Sequence, residues 1–165
     1  MRESQPELDT RDGDVCSEVS SYTALCKEFD PHTAAKLVEF GIEAWFAPGK
    51  FLFREHDESG QFYFITLGSV AVEQPCPSRT TRIKTLHEGD FLGWSALLGS
   101  GTRRFDARAT TEVAAIAFDG ALLRKTCEDD PRFGYALMKR LLLIVTERLD
   151  MVSARLTCVQ EGRTS

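Results

Sequence analysis

The clearest chemistry in the sequence comes from one glycine and two arginines. Gly93 leads into Trp94-Ser95-Ala96-Leu97-Leu98, and Arg103-Arg104 follow a few residues later. A glycine lets the backbone approach an anion, and a short helix behind it points free N–H groups at the same spot. A guanidinium then neutralises negative charge through paired, charge-assisted bonds. The arrangement reads as an anion site. The plainer alternative is a pair of solvated arginines in a loop led by Ser100-Gly101-Thr102.

Other reactive constellations do not appear in the sequence. His32, His56 and His87 stand alone, whereas a metal-binding cupin barrel needs an H-x-H pair and further ligands. Cys16, Cys26, Cys76, Cys127 and Cys158 are scattered without a C-x-x-C pair. They read as free thiols rather than a zinc or iron–sulfur set. Neither a G-x-S-x-G elbow nor a Walker loop occurs, and no spacing singles out two catalytic carboxylates. No catalytic residue, no metal and no enzyme activity are expected.

A chain of 165 residues suits one domain. Its net charge of −5 is unevenly placed: residues 1–30 hold eight Asp/Glu against three Lys/Arg, while residues 31–165 hold seventeen of each. The neutral body argues against attachment to nucleic acid by bulk charge. No apolar run approaches the ~18 residues of a membrane span, and the polar start Met1-Arg2-Glu3-Ser4-Gln5-Pro6 carries no secretory signal. A cytoplasmic protein without membrane contact is expected.

The elements that must position Gly93 and Arg103 can be read from turns and periodicity. Residues 1–20, rich in Asp, Glu, Ser, Gly and Pro, predict a mobile acidic tail before one domain over 21–165. Helix is predicted from Tyr22, and Asp30-Pro31 starts another that Gly41 ends. Over 43–118 the pattern changes to short strands: Lys50–Arg54, Phe62–Leu67, Ser69–Val72, Arg82–Leu86, an alternation at Phe105, Ala107 and Ala109, and Val113–Phe118. Strands at this spacing with glycine turns predict a jelly-roll-like β-barrel. Helices return over 119–159, where Asp119 caps one and Asp130-Pro131 launches the longest. The fold class is α+β: a barrel flanked by N-terminal helices and a long C-terminal dimerisation helix.

Three segments carry a resemblance over roughly 24–159. Ser59-Gly60-Gln61-Phe62-Tyr63-Phe64-Ile65-Thr66-Leu67-Gly68-Ser69-Val70 resembles a glycine-bracketed strand pair. Glu88-Gly89-Asp90-Phe91-Leu92-Gly93 resembles the entry to a phosphate-binding cassette, and Ser95-Ala96-Leu97-Leu98 its short helix. In this series the chain resembles the cyclic-nucleotide-binding domains of catabolite-activator-like sensors. The resemblance implies that Gly93, Ser95 and Ala96 face a phosphate and that Arg103, beside Arg104, is its arginine. It implies a non-enzymatic regulatory sensor or adaptor that takes a nucleotide or another anionic small molecule.

The chain departs from that family at two positions. The family places a glutamate after the cassette glycine to bind the ribose hydroxyl; here Trp94 stands there. Where the family keeps a small inward residue two places after the arginine, Phe105 stands. The missing acceptor leaves a ribose hydroxyl unsatisfied, a cost of ~1–3 kcal/mol. These departures predict weak cAMP binding or none, and a pocket plugged by the two rings would make the chain a ligand-free dimeric scaffold. Ser153 aligns with a purine-contacting serine of the family, with Val152 where a threonine is usual.

On the longest helix Met138, Leu142, Val145, Leu149, Val152, Leu156 and Val159 alternate spacings of four and three, a heptad seam. A second stripe, Phe133, Leu137, Leu141 and Ile144, is predicted to face the barrel. Beyond Arg148 only the seam remains, so a homodimer is expected, with another protein as the alternative cover. A helix-turn-helix needs ~60 further residues. With six residues after Val159, no DNA binding within this chain is expected.

Overall fold

A computed structural model describes residues 22–99 and 101–161, with side chains along the last helix described through Glu147 and at Leu149. The predicted tail over 1–20 and the seam or ligand roles of Val152, Ser153, Leu156 and Val159 lie outside what is described.

A helical stretch over 22–27 (α1) precedes α2 (Pro31–Phe40). The Asp30 carboxylate caps α2 by accepting from the His32 N–H at 3.2 Å and from Thr33 Oγ1 at 2.6 Å, as the Asp-Pro start predicts. Eight strands follow: β1 (Ile42–Phe46), β2 (Phe51–Phe53), β3 (Gln61–Leu67), β4 (Val70–Gln74), β5 (Thr81–Leu86), β6 (Phe91–Leu92), β7 (Asp106–Ala109) and β8 (Val113–Asp119). The one-turn helix α3 (Ser95–Leu98) lies between β6 and β7, and α4 (Gly120–Asp129) and α5 (Pro131–Glu161) end the chain.

The strands form two antiparallel sheets, ordered β1-β8-β3-β6 and β2-β7-β4-β5. The expected barrel is corrected here, because the sheets face each other without closing into one ring. Alternation along β3 shows the layering. Tyr63 and Ile65 enter the cluster between the sheets with Ala44, Leu52, Val70, Ala107 and Val113, whereas Phe62 and Phe64 face the helices. That outer cluster takes Leu25 and Leu37 from the N-terminal helices, Leu123 from α4, and Phe133, Leu137, Leu141 and Ile144 from α5. The inward stripe of α5 is therefore where its spacing predicts. Each such side chain contributes ~1.5–3 kcal/mol by leaving water.

Candidate functional site

The site is built where three loops meet the end of the sandwich. After β6 the chain turns at Gly93, whose φ of 83° lies in the left-handed region. A Cβ there would meet Arg103 Nη1 and the Gln61 carbonyl oxygen at 2.8 Å, so only glycine admits both neighbours. The β2–β3 loop pairs with the segment before β7: the Arg103 N–H donates to Asp57 O at 2.8 Å, and the His56 N–H donates to Arg103 O at 2.9 Å. This ladder turns the Arg103 side chain inward while Arg104 stays exposed.

Arg103 is 3% exposed. Its Nη1 donates to Gly93 O at 3.0 Å and to Ser95 Oγ at 3.2 Å, and its Nη2 donates to Gln61 O. The Phe53 ring stacks on the guanidinium, 4.1 Å from ring centroid to Cζ. Phe53 stacks in turn on Tyr63, whose hydroxyl donates to Gln61 Oε1. Among the described residues no carboxylate forms an ion pair with Arg103, and its buried Nε has no hydrogen-bond partner. Burial pushes the arginine below its ordinary pKa, partly offset by Tyr63 and Asp57. Burial likewise raises the Tyr63 hydroxyl to about 12. A buried cation held by neutral acceptors, with one bare donor, suits a small oxyanion.

The structure brings Gly93, Ser95 and Arg103 together as the sequence suggests. Trp94 packs against the helix-side cluster. Phe105, expected to alternate inward with Ala107, lies before β7 and is 37% exposed. The expected free N–H groups of the short helix are also corrected in part. The Ala96 N–H is bonded to Gly93 O at 3.0 Å and the Leu97 N–H to Trp94 O at 2.9 Å, because a single turn spends its own donors. Phe53, Gln61 and Tyr63 were missed by sequence reasoning. Their approach to Arg103 is set by the pairing of distant strands, and no local pattern marks it.

The family described as the cyclic nucleotide-binding domain matches residues 43–130. Among curated proteins none matches the chain. A cyclic nucleotide-binding domain from Methylobacillus flagellatus has the same fold, with TM-score 0.74 and 17% identity over 85% of this chain and 82% of that one. The N-terminal domain of a transcriptional regulator from Streptomyces coelicolor has TM-score 0.64 and 24% identity over 80% of this chain and 95% of that one. A c-di-GMP responsive global regulator from Xanthomonas campestris has TM-score 0.56 and 25% identity over 68% of this chain and 60% of that one. With the family matched across the strands, the cassette turn and α4, the chain belongs to the cyclic nucleotide-binding domain family.

Proposed function

We propose that this chain is a non-enzymatic regulatory sensor or adaptor whose cassette takes an anionic ligand other than ordinary cAMP, and that it acts in the cytoplasm as a homodimer. The observation that carries the reading is Arg103, buried to 3% exposure, unpaired with any described carboxylate and holding a bare Nε. Trp94 in place of an acceptor removes the ribose contact and points away from cAMP. The solved relatives include a transcriptional regulator domain and a regulator that responds to c-di-GMP. Among the described residues no helix is long and apolar enough to cross a membrane.

The alternative, a ligand-free dimeric scaffold, draws support from the same arginine. Three of its bonds already go to Gly93, Ser95 and Gln61, and Phe53 covers one face. A thermal-shift panel of cAMP, cGMP, cyclic dinucleotides, mononucleotides and inorganic phosphate separates the two, because a ligand that binds only the folded chain raises its midpoint. The sensor reading expects a shift with an anion, little or none with cAMP, and loss of the shift in Arg103→Ala. No shift across the panel would favour the scaffold. Micromolar cAMP binding by calorimetry would overturn the modified-site reading.

A further inference from the structure

We infer that Arg124 is a positioning residue of the Arg103 site, holding the cassette turn from the helical side without touching the ligand. This rests on the reading of Arg103 as the anion-binding residue. Helix α3 has four residues and little cohesion of its own. Its carbonyls have no further turn to accept from, so they take outside donors or stay bare. At the start of the turn, before α3, Arg103 donates to Gly93 O, which also accepts the Ala96 N–H. Arg124, projecting from α4, supplies a donor to a carbonyl of α3 itself, Ala96 O. Its side chain also lies along Gly99, where a Cβ would stand 3.2 Å from Arg124 Nε. The two elements meet closely here, since a Cβ on Gly120 would stand 2.7 Å from the same Ala96 oxygen.

Two arginines thus hold one turn, Arg103 at Gly93 and Arg124 at Ala96, and on the reading above Arg103 is the one that meets the ligand. An anion that engages Arg103 competes with Gly93 O and Ser95 Oγ for its donors. Arg124 then remains as the cationic hold on Ala96, keeping Ser95 beside the ligand. Its removal should loosen the turn in the ligand-free protein and weaken anion binding, although it lies outside the site.

The test is amide hydrogen exchange on the full chain, with Ala96 and Leu97 as reporters, since both amides are bonded within the turn. In Arg124→Ala these two amides should exchange about tenfold faster or more, as expected when one charge-assisted bond is lost, while β3 and β8 amides change little. Arg124→Lys, which keeps a donor and a charge, should restore much of the protection. Unchanged exchange at Ala96 and Leu97, or a rise equal to that of β3 and β8, would overturn the proposal. Titration with inorganic phosphate supplies the second arm. If the natural chain binds phosphate, Arg124→Ala should weaken it about tenfold by the same lost bond, and equal affinity would also overturn the proposal. If the natural chain binds no phosphate, the anion reading is what suffers, and the exchange data still decide the part played by Arg124.

Discussion

His56 is the one non-glycine residue with positive φ among those described, at 71°. It sits in the loop whose backbone bonds to both sides of Arg103, so its strained turn helps to aim the arginine inward. A left-handed conformation costs an ordinary residue roughly 1–2 kcal/mol. Glycine removes that cost but loses ~0.5–1 kcal/mol to chain entropy. The imidazole is 83% exposed and its nearest carboxylate, Glu55, is 3.8 Å away, so little else is lost with it. His56→Gly should therefore stabilise the fold by ~0.5–1 kcal/mol, raising the thermal midpoint by ~1–4 °C. An unchanged or lower midpoint would show that the side chain matters more than the turn. At this scale the sequence was informative where chemistry is local. Gly93 and Arg103 could be picked out because turn, short helix and guanidinium follow one another along the chain. Phe53 could not, since it reaches Arg103 only through the β2–β7 pairing, which sets Phe53 opposite Ala107.

At the scale of elements, the two Asp-Pro helix starts were legible, but their mutual packing was not. Each aspartate caps its own helix and binds a cation from the other. Asp30 accepts from Arg132 of α5 at 3.4 Å, while Asp130 accepts from Lys36 Nζ at 2.8 Å and lies 2.6 Å from His32 Nε2, both on α2. Asp130 also accepts from the Phe133 N–H at 3.1 Å, the capping bond of α5. Two positive helix ends are thus brought side by side and neutralised by two carboxylates. Lys36 first, then His32 and the Phe133 amide, hold the Asp130 carboxyl well below the usual carboxylate range. A depressed folded-state pKa stabilises the fold above the unfolded value of about 4, and that contribution fades as pH falls below it. Asp130→Asn should accordingly be less stable than the natural chain at pH 7, with the gap between their urea midpoints narrowing below about pH 4. A gap that stays constant from pH 7 to pH 3 would mean that the Asp130 charge contributes nothing. Strand positions were read from glycine turns and alternation, and most stand within a residue or two of their predicted bounds. Closure into a barrel was not readable, because it depends on whether edge strands such as β6 and β5 meet, and no residue pattern encodes that.

For the whole molecule the decisive surface is the outer face of α5. Its inward stripe is buried under the first sheet, as the spacing of Phe133, Leu137, Leu141 and Ile144 predicts. The other stripe is largely exposed in the single chain: Met138 is 43% exposed, Leu142 66%, Val145 41% and Leu149 63%. Tyr135, 70% exposed, continues the same alternation of three and four toward the helix start. A row of large apolar side chains along one helix is a surface that water disfavours and a second helix suits. Burial across a two-fold axis would contribute ~1.5–3 kcal/mol per side chain before the cost of association. Because these residues are exposed and are not members of either buried cluster, their loss should act on association and leave the monomer fold standing. Leu149→Asp places a carboxylate beside its own symmetry mate in an apolar seam, an unpaired like-charge burial that a dimer tolerates poorly. Analytical ultracentrifugation should show the natural chain as a dimer and Leu149→Asp as a monomer, with far-ultraviolet circular dichroism unchanged. A natural chain that sediments as a monomer at tens of micromolar would sink the homodimer, and the stripe from Tyr135 to Leu149 would then require a different protein as its cover.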